Sequence, residues 1–537
     1  MLSSSRSSPL WPDTFRIPER SALAKSLTAD VCVIGAGIAG LSVAYRLARA
    51  GSRVIVLDAG IVGGGETERT TAHLALALDE GYAELSRVHG DDSVRLVARS
   101  HAAAIDEIER VASEEGVDCG FERVDGWLFS SPNDPPRDLE EEYEASVNAG
   151  IKGVARADLA PLGVFLTGPA IRYPRQAQFH PLRYLAGLAA AYERLGGRIF
   201  CGTRVVEVRG GASARVETEK GLSVSAASIV IATNTPFNDR LVIHTKQASY
   251  RTYAVAAPLV VPGPRALFWD MEDPFHYARV QPGDDRRPDT LIVGGGDHKT
   301  GQADGAPEER FERLERWARE RFEGMGAVSH RWSGQIIGTS DGIAYIGRNP
   351  GDEENVFIVT GDCGHGMTHG TIAGLMLPDL IAGRSHAWEK LYDPSRVRAG
   401  SLARWARENL NSAAQYAGHL APAEVSSAED IPPGSGAVLR RGFSRIAAYR
   451  DPDGTLTECS AVCPHLGAVV RWNSAERTWD CPAHGSRFDP AGRVLNGPAA
   501  AGLSPVKAAS KPRRGVKRAA KKGLRRRTAP RIGKKTG

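Results

Sequence analysis

Two thiols and two imidazoles recur at close spacing near the C-terminal end of this 537-residue chain: Cys463-Pro464-His465, fifteen residues, then Cys481-Pro482-Ala483-His484. Cysteine and histidine in fours bind either one tetrahedral zinc ion or, with the ligands divided between two irons, a [2Fe-2S] cluster. In the cluster Cys463 and Cys481 would hold one iron, and His465 and His484 the other. Two neutral ligands in place of two anionic ones raise the reduction potential. A second constellation lies near the other end, Gly35-Ala36-Gly37-Ile38-Ala39-Gly40. Gly35 suits a tight turn, Gly37 lets backbone N–H groups approach a pyrophosphate, and Gly40 lets a helix pack close to a strand.

The elements that must position these residues can be read around them. Val31-Cys32-Val33-Ile34 is a buried strand leading into the glycine turn, and a helical run follows to Ala50. Val54-Ile55-Val56-Leu57 is a second strand ending at Asp58, eighteen residues past Gly40, where a ribose hydroxyl needs an acceptor. The glycine-rich loop Gly63-Gly64-Gly65 runs into Arg69-Thr70-Thr71-Ala72-His73-Leu74 and can lay backbone donors along a flat cofactor. From Glu80 to Gly116 apolar residues recur at three and four, which predicts helix. Further strands are expected at Val205-Val206-Glu207-Val208, at Ser228 to Asn234, and at Val356 to Thr360. After Gly361 to Gly366 a helix is expected from Met367 to Ile381, its N-terminus offering free N–H groups. The alternating segments between Tyr250 and Val293 suit an antiparallel sheet that walls a substrate site. Residues 426–505 carry short strands and turns such as Asp451-Pro452-Asp453-Gly454.

The Gly35–Gly40 fingerprint with Asp58, the segment Ile231-Ala232-Thr233-Asn234, and Gly361-Asp362-Cys363-Gly364-His365-Gly366-Met367 together resemble the D-amino-acid oxidase/glycine oxidase group of FAD oxidoreductases. The resemblance spans about residues 25–395 and implies FAD rather than NAD, with the last helix aimed at the isoalloxazine to stabilise its reduced anion. The Cys/His loops, with Leu466-Gly467 and Gly485-Ser486-Arg487-Phe488-Asp489, resemble Rieske ferredoxin-like domains over about residues 426–505, which favours the [2Fe-2S] cluster over zinc. Rieske proteins of cytochrome complexes carry an extra disulfide-forming cysteine in each loop; Ala468 and Ala483 stand there. The fused halves resemble bacterial FAD-dependent oxidoreductases with a C-terminal Rieske domain, and Gly295-Gly296-Asp297-His298-Lys299-Thr300-Gly301 and Met367-Thr368-His369-Gly370-Thr371 support that narrower match.

The expected fold is α/β: an N-terminal arm (1–29), a Rossmann-like FAD domain (30–395) with an inserted antiparallel substrate sheet around 245–335, a linker (396–425), an all-β Rieske domain (426–505) and a basic tail (506–537). Expected FAD contacts are Gly35, Gly37, Gly40, Asp58, Thr70, Thr71, His73, Val206, Thr233, Gly361, Gly366 and Met367. His73 falls near the place where dimethylglycine-dehydrogenase-like relatives attach FAD covalently; a histidine hydrogen-bonded to flavin or backbone is the plainer reading. His365 and Arg279 are the catalytic candidates, His365 beside the flavin helix and Arg279 as a carboxylate anchor on the sheet. The arginines that the resemblance would place for that purpose are replaced by Ile336 and Gly364. Tyr250, His276 and Tyr277 are pocket candidates, and Cys363 reads as a packed thiol. Asp362, His365 and His369 superficially match a two-histidine, one-carboxylate iron site, but they straddle a turn and a helix start.

The implied chemistry is a converter of electron number. Flavin accepts two electrons as hydride, the cluster passes one at a time, and the partners are a small, amine-like or amino-acid-like substrate and an external electron acceptor. Flow from a partner through the cluster to flavin would use the same residues. Composition limits the rest. Residues 507–537 carry fourteen Lys and Arg and no acid, so the net +5 of the whole chain becomes −9 over the first 506 residues. The low-complexity tail has little to bury and is expected to be disordered, available to nucleic acid or an acidic protein. Seven dispersed cysteines, no apolar run of eighteen and no signal-peptide pattern favour a reducing, cytoplasmic setting without a membrane span.

Overall fold

The structure, a computed structural model, describes residues 7–131, 134, 136–238, 242–285, 287–303 and 305–506. The basic tail lies outside these residues. Four parallel strands form the centre of the first sheet: Val356–Thr360, Ser223–Ile231, Leu27–Ile34 and Val54–Leu57. Arg198–Phe200 extends it in parallel and Tyr345–Arg348 closes the other edge in antiparallel fashion. Runs such as Val-Ile-Val-Leu at 54–57 are buried along their whole length, as strands covered on both faces require. The helices Ile38–Arg49 and Gly366–Ile381 lie against one another closely enough that a Cβ on Gly370 would meet Ala39 N at 3.0 Å and one on Gly374 would meet Ser42 C at 2.9 Å. Glycine at these positions lets both helix N-termini point at one place.

The second sheet has nine strands and draws on two stretches of chain. Gln247–Pro258, Ala266–Asp270, His276–Gln281, Thr290–Lys299 and His330–Thr339 come from the segment expected to form an insertion. Glu122–Phe129 and Ala170–Gln178 join them, because Ala266–Asp270 pairs in parallel with Glu122–Phe129. The substrate sheet is therefore shared between residues 73–178 and 247–339 rather than confined to 245–335. The N-terminal arm also departs from expectation. Leu10–Thr14 is a short helix, and Trp11 is wholly buried with its indole N–H donating to Thr70 O at 2.6 Å.

The linker contains the helix Leu402–Ala414. Beyond it stand a three-stranded sheet (Ser435–Arg441, Ser444–Arg450, Leu456–Ser460) and a four-stranded sheet (Arg471–Asn473, Thr478–Asp480, Arg487–Phe488, Val494–Asn496), all antiparallel. This small domain has its own apolar core around Trp479, Phe488 and Val470. No helix among the described residues is long and apolar enough to cross a membrane.

Candidate functional site

A cavity of about 510 Å³ opens at the ends of the parallel strands. Gly35, Gly37, Asp58 and Thr233 line it where the strands end, and Thr70, Thr71 and His73 line it from the glycine-rich loop. His365, Gly366 and Met367 line it from the start of the second helix, where no side chain caps the N-terminus. A Cβ on Gly35 would lie 2.3 Å from Ala232 O, and one on Gly40 would lie 1.9 Å from Gly35 O. Thus Gly40 serves helix-to-strand packing and does not itself line the cavity. Asp58 accepts backbone N–H bonds from Ala36 and Gly60, both at 2.7 Å, so it pins the turn and the next loop together. Burial pushes its carboxyl above the usual carboxylate range.

Two more of the expected cofactor contacts lie off the cavity. Val206 is 38% exposed and points away, while Val205 lines the cavity; alternate residues of a strand face opposite sides. Gly361 is absent from the lining as well, and its Cβ position abuts the Thr339 methyl at 2.4 Å, so it shapes the turn instead. Arg279 is the larger correction. It is fully buried and does not line the cavity; its guanidinium donates to Thr71 O (2.7 Å), Gln178 Oε1 (3.0 Å), Phe179 O (3.2 Å) and Gln281 Oε1 (2.9 Å). Burial pulls it down to about 9, and every bond it makes braces the loop under the cavity. A substrate carboxylate could not reach it.

The remaining candidates divide similarly. Tyr277 lines the cavity with its hydroxyl 2.9 Å from Thr252 Oγ1. Tyr250 turns instead toward Glu408, and His276 is stacked on Trp317 and bonded to Asp270. His276 belongs to the one group of three ligand-type side chains gathered within 4.8 Å among the described residues, Asp270, Glu272 and His276. Asp270 there already accepts from Trp317 Nε1, His276 N and His276 Nδ1, which reads as a satisfied network. Cys363 is buried, and burial raises its thiol far above the usual range. His73 Nδ1 is 3.0 Å from Thr71 Oγ1 while its Nε2 is sealed from solvent without a hydrogen-bond partner; burial pulls the ring down to about 3, so it is neutral.

Asp79 and Trp269, which sequence reasoning did not single out, complete the site together with His369, which it named only in the superficial iron-site pattern. Asp79 lines the cavity and pairs with His365 at 3.1 Å. Trp269 stands beside His73, ring centroids 5.8 Å apart. His369, on the helix face, is held neutral by burial, with its Nδ1 3.0 Å from Asp362 O and its Nε2 sealed without a partner.

The four Cys/His candidates converge at the tip of the small domain. Each pair sits on a turn of the same design: Cys463 N donates to Ala468 O (2.9 Å) and Cys481 N to Ser486 O (2.8 Å), with Gly467 and Gly485 in the left-handed region. The His465 and His484 rings are 5.1 Å apart. The two thiols hydrogen-bond one another, which lowers the Cys463 thiol and raises the Cys481 thiol; backbone N–H groups of His465 and Leu466 add to the first effect, and those of Ala483 and His484 oppose the second. Two paired sulfurs with backbone N–H donors around them, beside two imidazoles, fit an iron–sulfur cluster. Loop 481–486 is pressed into the flavin domain: a Cβ on Gly485 would lie 2.2 Å from Ser249 Oγ, and Gln335 Nε2 donates to Gly485 O at 2.8 Å. His244, 4% exposed, sits 4.8 Å from the His465 ring. A Cβ on Gly301, from the glycine-rich motif at 295–301, would lie 3.0 Å from Asp480 O and Pro482, which gives that motif a docking role.

Comparison with known proteins places this architecture. Residues 30–380 match the DAO family of FAD dependent oxidoreductases, and residues 421–508 match the Rieske [2Fe-2S] domain. The chain belongs to the DAO family of FAD dependent oxidoreductases and carries a C-terminal Rieske domain; FAD and a [2Fe-2S] cluster are the cofactors of those two parts. The whole arrangement is shared with the Bacillus subtilis (strain 168) protein YhfW, named as a Rieske 2Fe-2S iron-sulfur protein, which is 32% identical over 93% of this chain and 96% of its own length. The gamma-glutamylputrescine oxidoreductase of Escherichia coli (strain K12) is 25% identical over 68% of this chain and 87% of its own. In fold, glycine oxidase from Geobacillus kaustophilus superposes with a TM-score of 0.59 at 20% identity, over 69% of this chain and all of its own.

Proposed function

We propose that this protein oxidises a small amine or amino-acid-like molecule at FAD and sends the electrons singly, through the Rieske cluster, to an external one-electron acceptor. When bound, FAD supplies two-electron chemistry and the cluster one-electron transfer. The observation that carries the reading is Gln335, which lines the cavity and also bonds the loop between Cys481 and Ser486. Asn496 and Gly497 of the small domain line the same cavity, so one wall is common to both redox sites. Around the reacting end, His365 is placed to take a proton and Tyr277 and Trp269 to exclude water. The relative from Escherichia coli is named for an amine, which agrees with an amine here. Seven unpaired, buried cysteines suit a reducing, cytoplasmic setting.

Anaerobic titration of the holoenzyme with candidate amines tests the reading. Bleaching of the flavin band, followed by appearance of the reduced-cluster EPR signal, is expected. A flavin that no amine bleaches, but that is reduced when electrons are fed to the cluster, would instead establish the opposite flow.

A further inference from the structure

Charge is distributed unevenly along the cavity. Four carboxylates line it, Asp58, Glu66, Asp79 and Asp362, against two guanidiniums, Arg69 and Arg204. Both cations are already engaged. Arg204 donates to Val494 O at 3.0 Å and acts on Asp58 at the nucleotide end. Arg69 donates to Ser333 O at 2.8 Å and pairs with Glu476 at 3.4 Å. Around His73, Thr252, Trp269, Tyr277 and His365, no described lining residue is a lysine or arginine.

What stands there is a carboxylate, in a place prepared for it. Gly364 is in the left-handed region, and a Cβ on it would lie 2.1 Å from Asp79 Oδ2. Any side chain at 364 would therefore displace Asp79. The backbone N–H of Asp79 donates to His365 Nε2 at 3.0 Å, which fixes the residue, and its side chain stays 26% exposed and within reach of a ligand. Trp269 and Tyr277 flank His73 at 5.8 and 5.5 Å and line the cavity, and aromatic rings attract cations. Behind them lies Asp297, with one carboxyl oxygen sealed from solvent and without a partner. Burial and the charge of Asp79 push Asp297 up to about 7 against the weaker pull of Thr252 and Arg310, and burial does the same to Asp362.

We infer that this end of the cavity holds its substrate by an ammonium group, with Asp79 as counter-ion and Trp269 and Tyr277 as aromatic walls, so that the substrate is a cationic amine without a carboxylate beside the reacting carbon. This rests on the flavin reading given above and narrows it. A carboxylate would meet Asp79 and find no donor fork, since Arg279 is sealed beneath the loop. His365, whose Nε2 accepts the Asp79 backbone N–H at 3.0 Å, holds that carboxylate in place for the ammonium.

The test is equilibrium binding to the oxidised holoenzyme, carrying FAD and cluster, with n-butylammonium and butyrate as probes. Binding is read from the difference spectrum of the flavin and, independently, from ligand line broadening in NMR. Butylammonium should bind at least about tenfold tighter than butyrate, and Asp79→Asn, nearly the same size, should remove about tenfold while FAD content and cluster spectrum persist. Butyrate binding as well as butylammonium, or ammonium binding indifferent to Asp79→Asn, overturns the inference. Should Asp79→Asn lose FAD, Asp79→Glu, which keeps the charge, must retain the preference for ammonium; a preference lost there overturns it too. Turnover is not part of the measurement. Amines that bind through Asp79 but never bleach the flavin would sink only the proposed reaction, whereas amines that bleach it while binding independently of Asp79 would sink only this inference.

Discussion

Gln335 donates its side-chain N–H to Gly485 O at 2.8 Å, and these two residues belong to different redox sites. Gln335 lines the flavin cavity; Gly485 follows His484 in the cluster loop. The bond ties the two sites together through one side chain and one carbonyl. A single neutral hydrogen bond contributes on the order of 1 kcal/mol, too little to hold the domain alone but enough to set its register. Gln335→Ala should leave flavin bleaching by substrate unchanged and slow the subsequent reduction of the cluster. Stopped-flow absorbance at the two bands checks this, and equal slowing of both steps would speak against the role.

Docking strength should come from a buried ion network. Glu476 of the small domain is 4% exposed and lies 3.4 Å from Arg69, 3.6 Å from Arg251 and 3.5 Å from Arg487, with Ser333 Oγ donating to it at 2.5 Å. These cations hold its carboxyl down to about 2, against 4.5 ordinarily. A depressed acid stabilises the fold above its unfolded value, and that contribution is lost as pH falls from about 4.5 through about 2. Glu476→Gln strands Arg251 without its partner and should cost about 3–5 kcal/mol. Denaturant unfolding at neutral pH reads the cost, and the variant should also lose the steep part of the acid transition.

Much of this was legible from residue types alone. The glycine fingerprint is visible because backbone approach demands glycine at Gly35 and Gly40, and the cluster ligands because metal chemistry demands both type and spacing. What escaped is what depends on tertiary pairing. Arg279 looks like an anchor in sequence, and only its bonds to Thr71, Gln178 and Phe179, a hundred or more residues away, make it structural. Val206 missed by one residue because strand alternation flips the face and the register was unknown. Asp79 carries no motif; its meaning comes from Gly364, which is far away in the chain and leaves room for it. Glu476 and Arg251 likewise meet only because two domains dock.

The cluster ligands make separable predictions. Cys481→Ser or His484→Ala should remove iron and the cluster's EPR signal while the flavin spectrum remains, since the expected FAD contacts lie in residues 30–380 and the stretch of the small domain that lines the cavity, 494–500, holds none of the four ligands. The fold of the small domain should weaken with the loss, because a cluster held by ligands from loops 463–468 and 481–486 ties the two loops together. Iron and acid-labile sulfide analysis beside flavin content is the check. Zinc at one ion per chain in the native protein, in place of iron and sulfide, would contradict the assignment.

Asp297 ties pH to both stability and ligand binding. Its carboxyl is raised from 3.8 to about 7, first by burial and then by the charge of Asp79, against opposing effects of Thr252 and Arg310. The neutral acid is the form the fold prefers, so its contribution to stability is present below pH 3.8 and is lost as pH rises through about 7. Asp297→Asn, uncharged at every pH, should flatten the fall in stability between pH 3.8 and about 7, the interval between its unfolded and folded values. A cation held near Asp79 favours the ionised form, so affinity for butylammonium should rise as pH passes through about 7, with proton release on binding, and Asp297→Asn should weaken both. The groups that also face this place are Asp79, Asp362, His365, Tyr277 and Arg310; of these Asp362 is likewise raised to about 7, so a residual pH dependence in Asp297→Asn that disappears in the double variant with Asp362→Asn is the expected pattern. Calorimetric binding in buffers of different ionisation heat measures the proton directly, and an affinity flat as pH passes through about 7 in the parent protein would contradict the coupling.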